Sequence, residues 1–259
     1  IEKGVLRGFK GNWGSEEHTK RLGIVQELSR LSFNSYISLV RQLNLPFDSS
    51  AKIVGPRLLH GSQWGVIDPV DTPDGGNIGL HKHFSILTKI TKNCSGIQII
   101  KWLQKNTELQ ILNECTFLYL SKLTKIFINH VWIGIIHEPQ KVIDLLKINR
   151  RNGLISVYTS ISWDIKENII FIYTDSGRLC HPVYYVKDKI LSFDNELILK
   201  YIYDNNFTWD KLVSGFSNKN SDFNINDCNT YLNISDLYTG IKDINELINN
   251  QGIIEYIDT

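Results

Sequence analysis

The sequence predicts a mixed α+β protein made of more than one unit. Apolar residues recur at helical spacing in Gly96–Asn106 and Pro139–Gly153, and alternate at strand spacing in Lys125–Pro139 and Asn168–Val186. The two patterns follow one another without regular βαβ alternation and without an internal repeat, which is the mark of an α+β architecture. The 259 residues, 42% hydrophobic and 21% charged, suffice for one large domain or two to three smaller ones. A net charge of +1 argues against a free-standing nucleic-acid binder with a broad basic face, though not against a local basic site.

Taken in order, Lys20–Leu45 carries Leu28, Leu31, Ile37, Val40 and Leu43 at mostly helical spacing, and Pro46 closes the helix by disfavouring helical backbone before it. Phe47–Gly55 is a turn-rich loop with one lysine, Lys52, and Pro56–Leu80 is dense in glycine and proline and therefore irregular. His83–Thr91 alternates as a strand. Gly96–Asn106 reads as helix, then Cys115–Leu120 and Lys125–Pro139 as strands. Pro139–Gly153 has a proline entrance, a stripe through Val142, Leu145 and Leu146, and a glycine stop. Arg150 and Arg151 fall in its last turn, where cations oppose the dipole, so a solvated face is expected. Asn168–Val186 reads as a hairpin around Asp175-Ser-Gly177, with Asp175 and Arg178 as a turn-locking ion pair. Ser214–Asn233 is a polar loop, and Asp243–Thr259 reads helix, glycine, strand.

Cys94, Cys115, Cys180 and Cys228 form no C-x-x-C pair, which speaks against structural zinc, and reduced thiols are expected. The sequons at Asn93, Asn206 and Asn233 are what chance provides in a chain so rich in asparagine. No apolar run approaches the ~20 residues of a membrane helix. The chain starts at Ile1 and contains no methionine, as expected of a piece of a longer protein.

The densest chemistry is DPVDTPDGGNIGL, Asp68–Leu80. Its acids, Asp68, Asp71 and Asp74, are three apart, but Pro69 and Pro73 preclude the helix that would align them, and the spacing misses a calcium loop. Its glycines lack the Lys-Ser/Thr of a phosphate-binding Walker loop. His81 and His83 lack a third metal ligand, and Ser62 lacks a nucleophile elbow. Two readings stand: a structural turn, or a preset polar loop serving a site.

In this stretch the chain resembles the second-largest subunit of multisubunit DNA-dependent RNA polymerases. The family's fork motifs occur in order as GNWG (Gly11–Gly14), LSRLSF (Leu28–Phe33), PRLLHGSQWG (Pro56–Gly65) and DTPDGGNIGL (Asp71–Leu80). Ile128–Gly153 and TDSGRLCHPVY (Thr174–Tyr184) are similar to its first external domain, and QGIIEYIDT (Gln251–Thr259) to the opening of its second. Asp71 and Asp74 stand where the family has glutamates, and His181 where arginine is common. The SEEHTKR segment is short, which leaves the upstream fork loop reduced. The loop variant and the Ile-, Asn- and Lys-rich composition resemble those of large cytoplasmic DNA viruses.

The resemblance implies a fork-like domain over 1–92, a first external domain over 93–190 and the start of a second over 191–259. It implies that the fork loops border the active centre and the RNA–DNA hybrid, with Lys52 where the strands separate. Arg57 would bind phosphate or brace the loop by pairing with Asp71 or Asp74. Asp74 and Asn77 would orient groups near the nucleotide or RNA end, or cap the loop. Gln63 would face the hybrid while Trp64 packs. Asp175, Gly177 and Arg178 would form a structural turn. No catalytic residue is implied here: Mg2+ belongs to the largest subunit, and the piece alone is inactive. The implied partners are the largest and other polymerase subunits, the DNA template and the hybrid, in an intracellular setting that for a virus means virion and host cytoplasm. The contrasting reading is a non-catalytic protein-interaction module that keeps the fold.

Overall fold

The computed structural model describes residues 2–9, 12–13, 21–22, 27–45, 47–50, 53–115, 120, 122–187, 189–194, 203, 208–215 and 244–258. Lys52, most of Cys115–Leu120 and nearly all of Ser214–Asn233 thus lie outside the described residues, as does Cys228. Helices and several sheets coexist, so the fold is mixed α+β. The chain divides into two compact units, Ile1–Ile86 and Leu87–Thr259.

In the first unit, α1 (Glu2–Phe9) precedes the short strands β1 (Asn12–Trp13) and β2 (Arg21–Leu22). The expected long helix is only α2, Phe33–Val40. Its start is set by Ser32, whose side chain accepts from Ser35 N while the Ser35 hydroxyl accepts from Ser32 N. That cap outweighs the apolar periodicity upstream. Strands β3 (Gln42–Asn44) and β4 (His81–His83) pair antiparallel and bracket the irregular Pro56–Leu80 segment. Buried Val66, Ile67 and Leu80 anchor that segment.

The expected strand His83–Thr91 is two strands in different sheets: β4, and β5 (Lys89–Ile90) of the second unit. Alternation continued across Phe84–Thr88, but strand pairing did not. The second unit then builds α3 (Ile97–Asn106), β6 (Gln110–Ile111), β7 (Thr124–Ile128), β8 (Val131–Ile136) and α4 (Pro139–Arg151). β9 (Ser160–Asp164), β10 (Ile169–Tyr173) and β11 (Leu179–Tyr184) follow, then β12 (Val186–Lys187) and β13 (Ile190–Leu191). α5 (Trp209–Ser214), α6 (Ile244–Asn249) and β14 (Ile254–Asp258) complete it.

A five-stranded sheet runs β6-β8-β7-β10-β9, with β7 and β10 parallel and the other pairs antiparallel. The β7–β8 turn has Asn129 and His130 at φ 46 and 68, the two-residue geometry that matches strand twist. Alternate residues Ile126, Ile128, Ile170 and Ile172 of the sheet pack with Trp102 and Leu103 of α3 and Val142, Ile143 and Leu146 of α4. The period-2 and period-3.6 patterns therefore meet in one core. Gly134 is required where β6 crosses close: a Cβ there would lie 2.1 Å from Gln110 O.

A three-stranded sheet, β14-β11-β5, covers a second core of Val157, Cys180, Leu212, Val213, Ile253, Ile254 and Tyr256. The expected Asn168–Val186 hairpin is absent. β10 pairs with β7 and β9, whereas β11 pairs with β14 and β5, so the Asp175–Gly177 turn carries the chain from one sheet to the next. Turn residues specify a reversal, not which strands pair afterwards. Cys94 is disulfide-bonded, against the expectation of reduced thiols, while Cys115 and Cys180 are free. Distance along a sequence does not report which sulfurs meet. Among the described residues no helix is long and apolar enough to cross a membrane.

Candidate functional site

The Asp68–Leu80 loop is held by its own short side chains. Asp68 Oδ1 accepts from Val70 N at 2.9 Å and Asp71 N at 3.3 Å, which closes an Asx turn ahead of Thr72. Thr72 Oγ1 donates to His81 O at 2.9 Å and accepts from Gly79 N at 2.8 Å, pinning the loop's two limbs together. Buried His83 places Nδ1 2.7 Å from Asp71 O and 3.4 Å from Asp71 Oδ1. Ser38 of α2 donates to Asp71 Oδ2 at 2.6 Å. Asp71 is thus a tethered carboxylate.

Asp74 and Asn77 differ. Asp74 precedes the 3-10 turn Gly75–Asn77 but makes no side-chain cap, and both residues are exposed. Among the described residues no hydrogen bond to either side chain occurs. Gly75 at φ 77 and Gly79 at φ 72 supply the left-handed backbone that brings the chain back.

Arg57 closes the 3-10 turn Gly55–Arg57. Its Nε donates to Ile53 O at 3.1 Å, Nη1 to Gly76 O at 2.8 Å and Ile78 O at 2.7 Å, and Nη2 to Ser49 O at 3.2 Å. The structure therefore brings Arg57 to the loop, but onto main-chain carbonyls and not onto Asp71 or Asp74. Gln63 Oε1 accepts from Lys82 Nζ at 3.3 Å, and His60 Nδ1 accepts from Ser62 N at 3.2 Å. Trp64, expected to pack, is 70% exposed, because an irregular loop offers no periodicity from which to read its inner side.

In the second unit, Gly177 adopts φ 87 and Arg178 Nε donates to Asp175 Oδ1 at 2.7 Å. Arg178 also reaches Asp258 Oδ2 at 2.7 Å and the carbonyls of Tyr158 and Tyr173. It is a hub joining β10, β14 and the segment before β9, which is more than a local turn lock. Arg150 and Arg151 overturn the solvated-face expectation: Arg150 is 5% exposed and lies 3.2 Å from Glu255 Oε2, while Arg151 Nε lies 2.5 Å from Glu255 Oε1. The Arg151 guanidinium also stacks 3.5 Å from the Tyr185 ring centroid. Burial pushes the Glu255 carboxyl up, but Arg150 and Arg151 outweigh it and hold the group below the usual carboxylate range. Burial pulls the Arg150 guanidinium down, opposed by Glu255.

Sequence reasoning missed Thr72, His83, Ser38 and Glu255. Thr72 and His83 were within the motif or beside it; Ser38 and Glu255 were distant, and no local pattern reports a partner 33 or 104 residues away. Among the described residues no three His, Cys, Asp or Glu side chains are grouped so as to hold a metal ion.

Two family models match in order: RNA polymerase Rpb2, domain 3, over residues 26–90, and RNA polymerase Rpb2, domain 4, over residues 126–187. DNA-directed RNA polymerase II subunit RPB2 of Encephalitozoon cuniculi is 36% identical over 82% of this chain and 19% of its own length. The corresponding subunit of Schizosaccharomyces pombe is 34% identical over 68% of this chain and 15% of its own. DNA-directed RNA polymerase III subunit RPC2 of Drosophila melanogaster is 32% identical over 69% and 16%. The chain thus spans less than a fifth of the length of the relatives it matches. Two adjacent domains in the family's order, an α+β fold, and relatives that are all second subunits lead to one conclusion: the chain belongs to the second-largest-subunit family of DNA-directed RNA polymerases, across its domains 3 and 4.

Proposed function

We propose that this chain acts within an assembled DNA-directed RNA polymerase, where the Asp68–Leu80 loop borders the active centre and the downstream end of the RNA–DNA hybrid. The observation that carries the reading is the loop's division of labour. Asp68, Thr72, Asp71 and Gly79 lock it from beneath, while Asp74 and Asn77, whose side chains make no hydrogen bond among the described residues, stand at its exposed turn. A loop so ordered at its base and polar at its tip suits preorganised contact with a ligand better than a mere chain reversal. The matched domain 3 contains the whole loop.

In this reading the chain supplies a wall of the active centre and does not polymerise RNA alone. The largest subunit, with which this chain's subunit would assemble, would hold the divalent metals and supply their charge stabilisation. Asp74 and Asn77 orient the RNA end or incoming nucleotide, and Gln63 faces the hybrid. The Ile-, Asn- and Lys-rich composition and the Asp-for-Glu loop support a large cytoplasmic DNA virus as the source, with virion and host cytoplasm as its location.

The test is nucleotide addition on a preassembled RNA–DNA scaffold by the reconstituted enzyme carrying Asp74→Ala or Asn77→Ala. Stable assembly with addition slowed by about tenfold is expected for a lost orienting contact. Wild-type elongation by both well-assembled variants would sink the active-centre assignment and leave the loop a structural turn.

A further inference from the structure

We infer that Arg57 is a positioning residue that makes the backbone at Ser49 and Ile53 move as one part with the Asp74–Gly79 loop, and that it does not grip the nucleotide's phosphates. The inference rests on the active-centre reading above for its functional consequence, but the coupling itself stands on geometry alone. Among the described residues the fork donates to Ser49 O and Ile53 O on one side and to Gly76 O and Ile78 O on the other. The guanidinium is a rigid planar fork, so a shift of either carbonyl pair must displace the fork or break its bonds to the other pair.

A close backbone approach tightens the joint independently of that side chain. A Cβ at Gly79 would lie 2.6 Å from Arg57 O, so the returning limb of the second loop rests directly on the Arg57 main chain. A Cβ added at Gly76 would reach Ser49 Cβ at 3.7 Å, so the two segments run close to one another there as well. Glycine at 79 is what lets them close up.

The same donors exclude a phosphate grip in this arrangement. A bidentate contact uses either Nε with Nη2, or Nη1 with Nη2. Nε is committed to Ile53 O, and both Nη1 hydrogens are committed to Gly76 O and Ile78 O. Either grip would have to release a loop carbonyl.

The test measures amide hydrogen exchange in the assembled polymerase, in peptides covering 48–54 and 74–80, for Arg57→Ala, Arg57→Lys and Gly79→Ala. Exchange in both loops should accelerate together by about tenfold or more in Arg57→Ala, since local opening then needs no fork to be broken. Arg57→Lys should not restore protection, because an ammonium cannot span both carbonyl pairs. Gly79→Ala reads the same coupling if Arg57→Ala fails to assemble. Acceleration in one loop only, or in neither, overturns the inference.

On the RNA–DNA scaffold, the maximal addition rate of Arg57→Ala should fall about tenfold with the apparent KM for nucleotide changed less than about twofold. A tenfold rise in KM at an unchanged maximal rate would instead make Arg57 a phosphate ligand and overturn the positioning role. Coupled loosening with wild-type kinetics would uphold the joint and sink the active-centre reading on which its functional consequence depends.

Discussion

Replacing Glu255 with glutamine should destabilise the second unit more than any surface substitution. The carboxylate is 9% exposed and is shared by Arg150 and Arg151, whose side chains are 6% and 14% exposed. Glutamine keeps the shape but removes the charge, leaving two guanidiniums side by side in a dry site. Among the described residues Arg150 Nε has no hydrogen-bond partner. Removing one member of a buried pair costs about 3–5 kcal/mol, most of it the penalty of the charge left behind. With a urea dependence of about 3 kcal/mol/M, the unfolding midpoint should fall by roughly 1–2 M.

The pH dependence gives the second handle. The folded-state pKa of Glu255 is depressed from its ordinary 4.5, so its contribution is fully present above that value. It is lost as pH falls through the depressed folded value. The wild-type chain and Glu255→Gln should therefore differ most at neutral pH and converge as the pH drops below 4.5. Urea unfolding followed by circular dichroism at pH 7 and at acid pH measures both quantities. A loss below about 1 kcal/mol, typical of an exposed pair, would refute the reasoning, as would a gap that does not narrow in acid.

Two further predictions concern packing. Leu146→Ala removes a fully buried side chain from the junction of α4 and the five-stranded sheet, and should cost about 2–5 kcal/mol in the same unfolding assay. Gly134→Ala puts a Cβ 2.1 Å from Gln110 O, so β6 must shift; a loss of about 1–3 kcal/mol is expected, with faster amide exchange confined to Gln110–Ile111 and their β8 partners.

The two arginines at the end of α4 show where sequence reasoning stops. Their position in a last helical turn is a complete local explanation, and it was the wrong one. Glu255 comes 104 residues after Arg151 and reaches it only because β14 pairs with β11. Likewise the Asp175–Gly177 turn was legible as a reversal from its residue types. Its role as a passage between two sheets depended on β10 finding β7, a parallel pairing with no local signature. The α2 start illustrates the opposite case: Ser32 carries a local cap signal, and that cap prevails over the apolar periodicity upstream.

What the sequence determined by itself was everything set by neighbours: the helical stripes of α3 and α4, the β7–β8 alternation, the preset geometry of Asp68–Leu80, and the ordered motifs that mark the polymerase-subunit family. Backbone preference and side-chain period act over a few residues, so a linear reading captures them. Tertiary structure alone decided which charges meet. It turned Arg57 from a prospective partner of Asp71 or Asp74 into a donor to main-chain carbonyls, and left Asp74 and Asn77 exposed at the loop's tip. The reason is geometric: a guanidinium binds whichever acceptors the folded backbone brings into its plane, and that arrangement exists only once distant segments have closed.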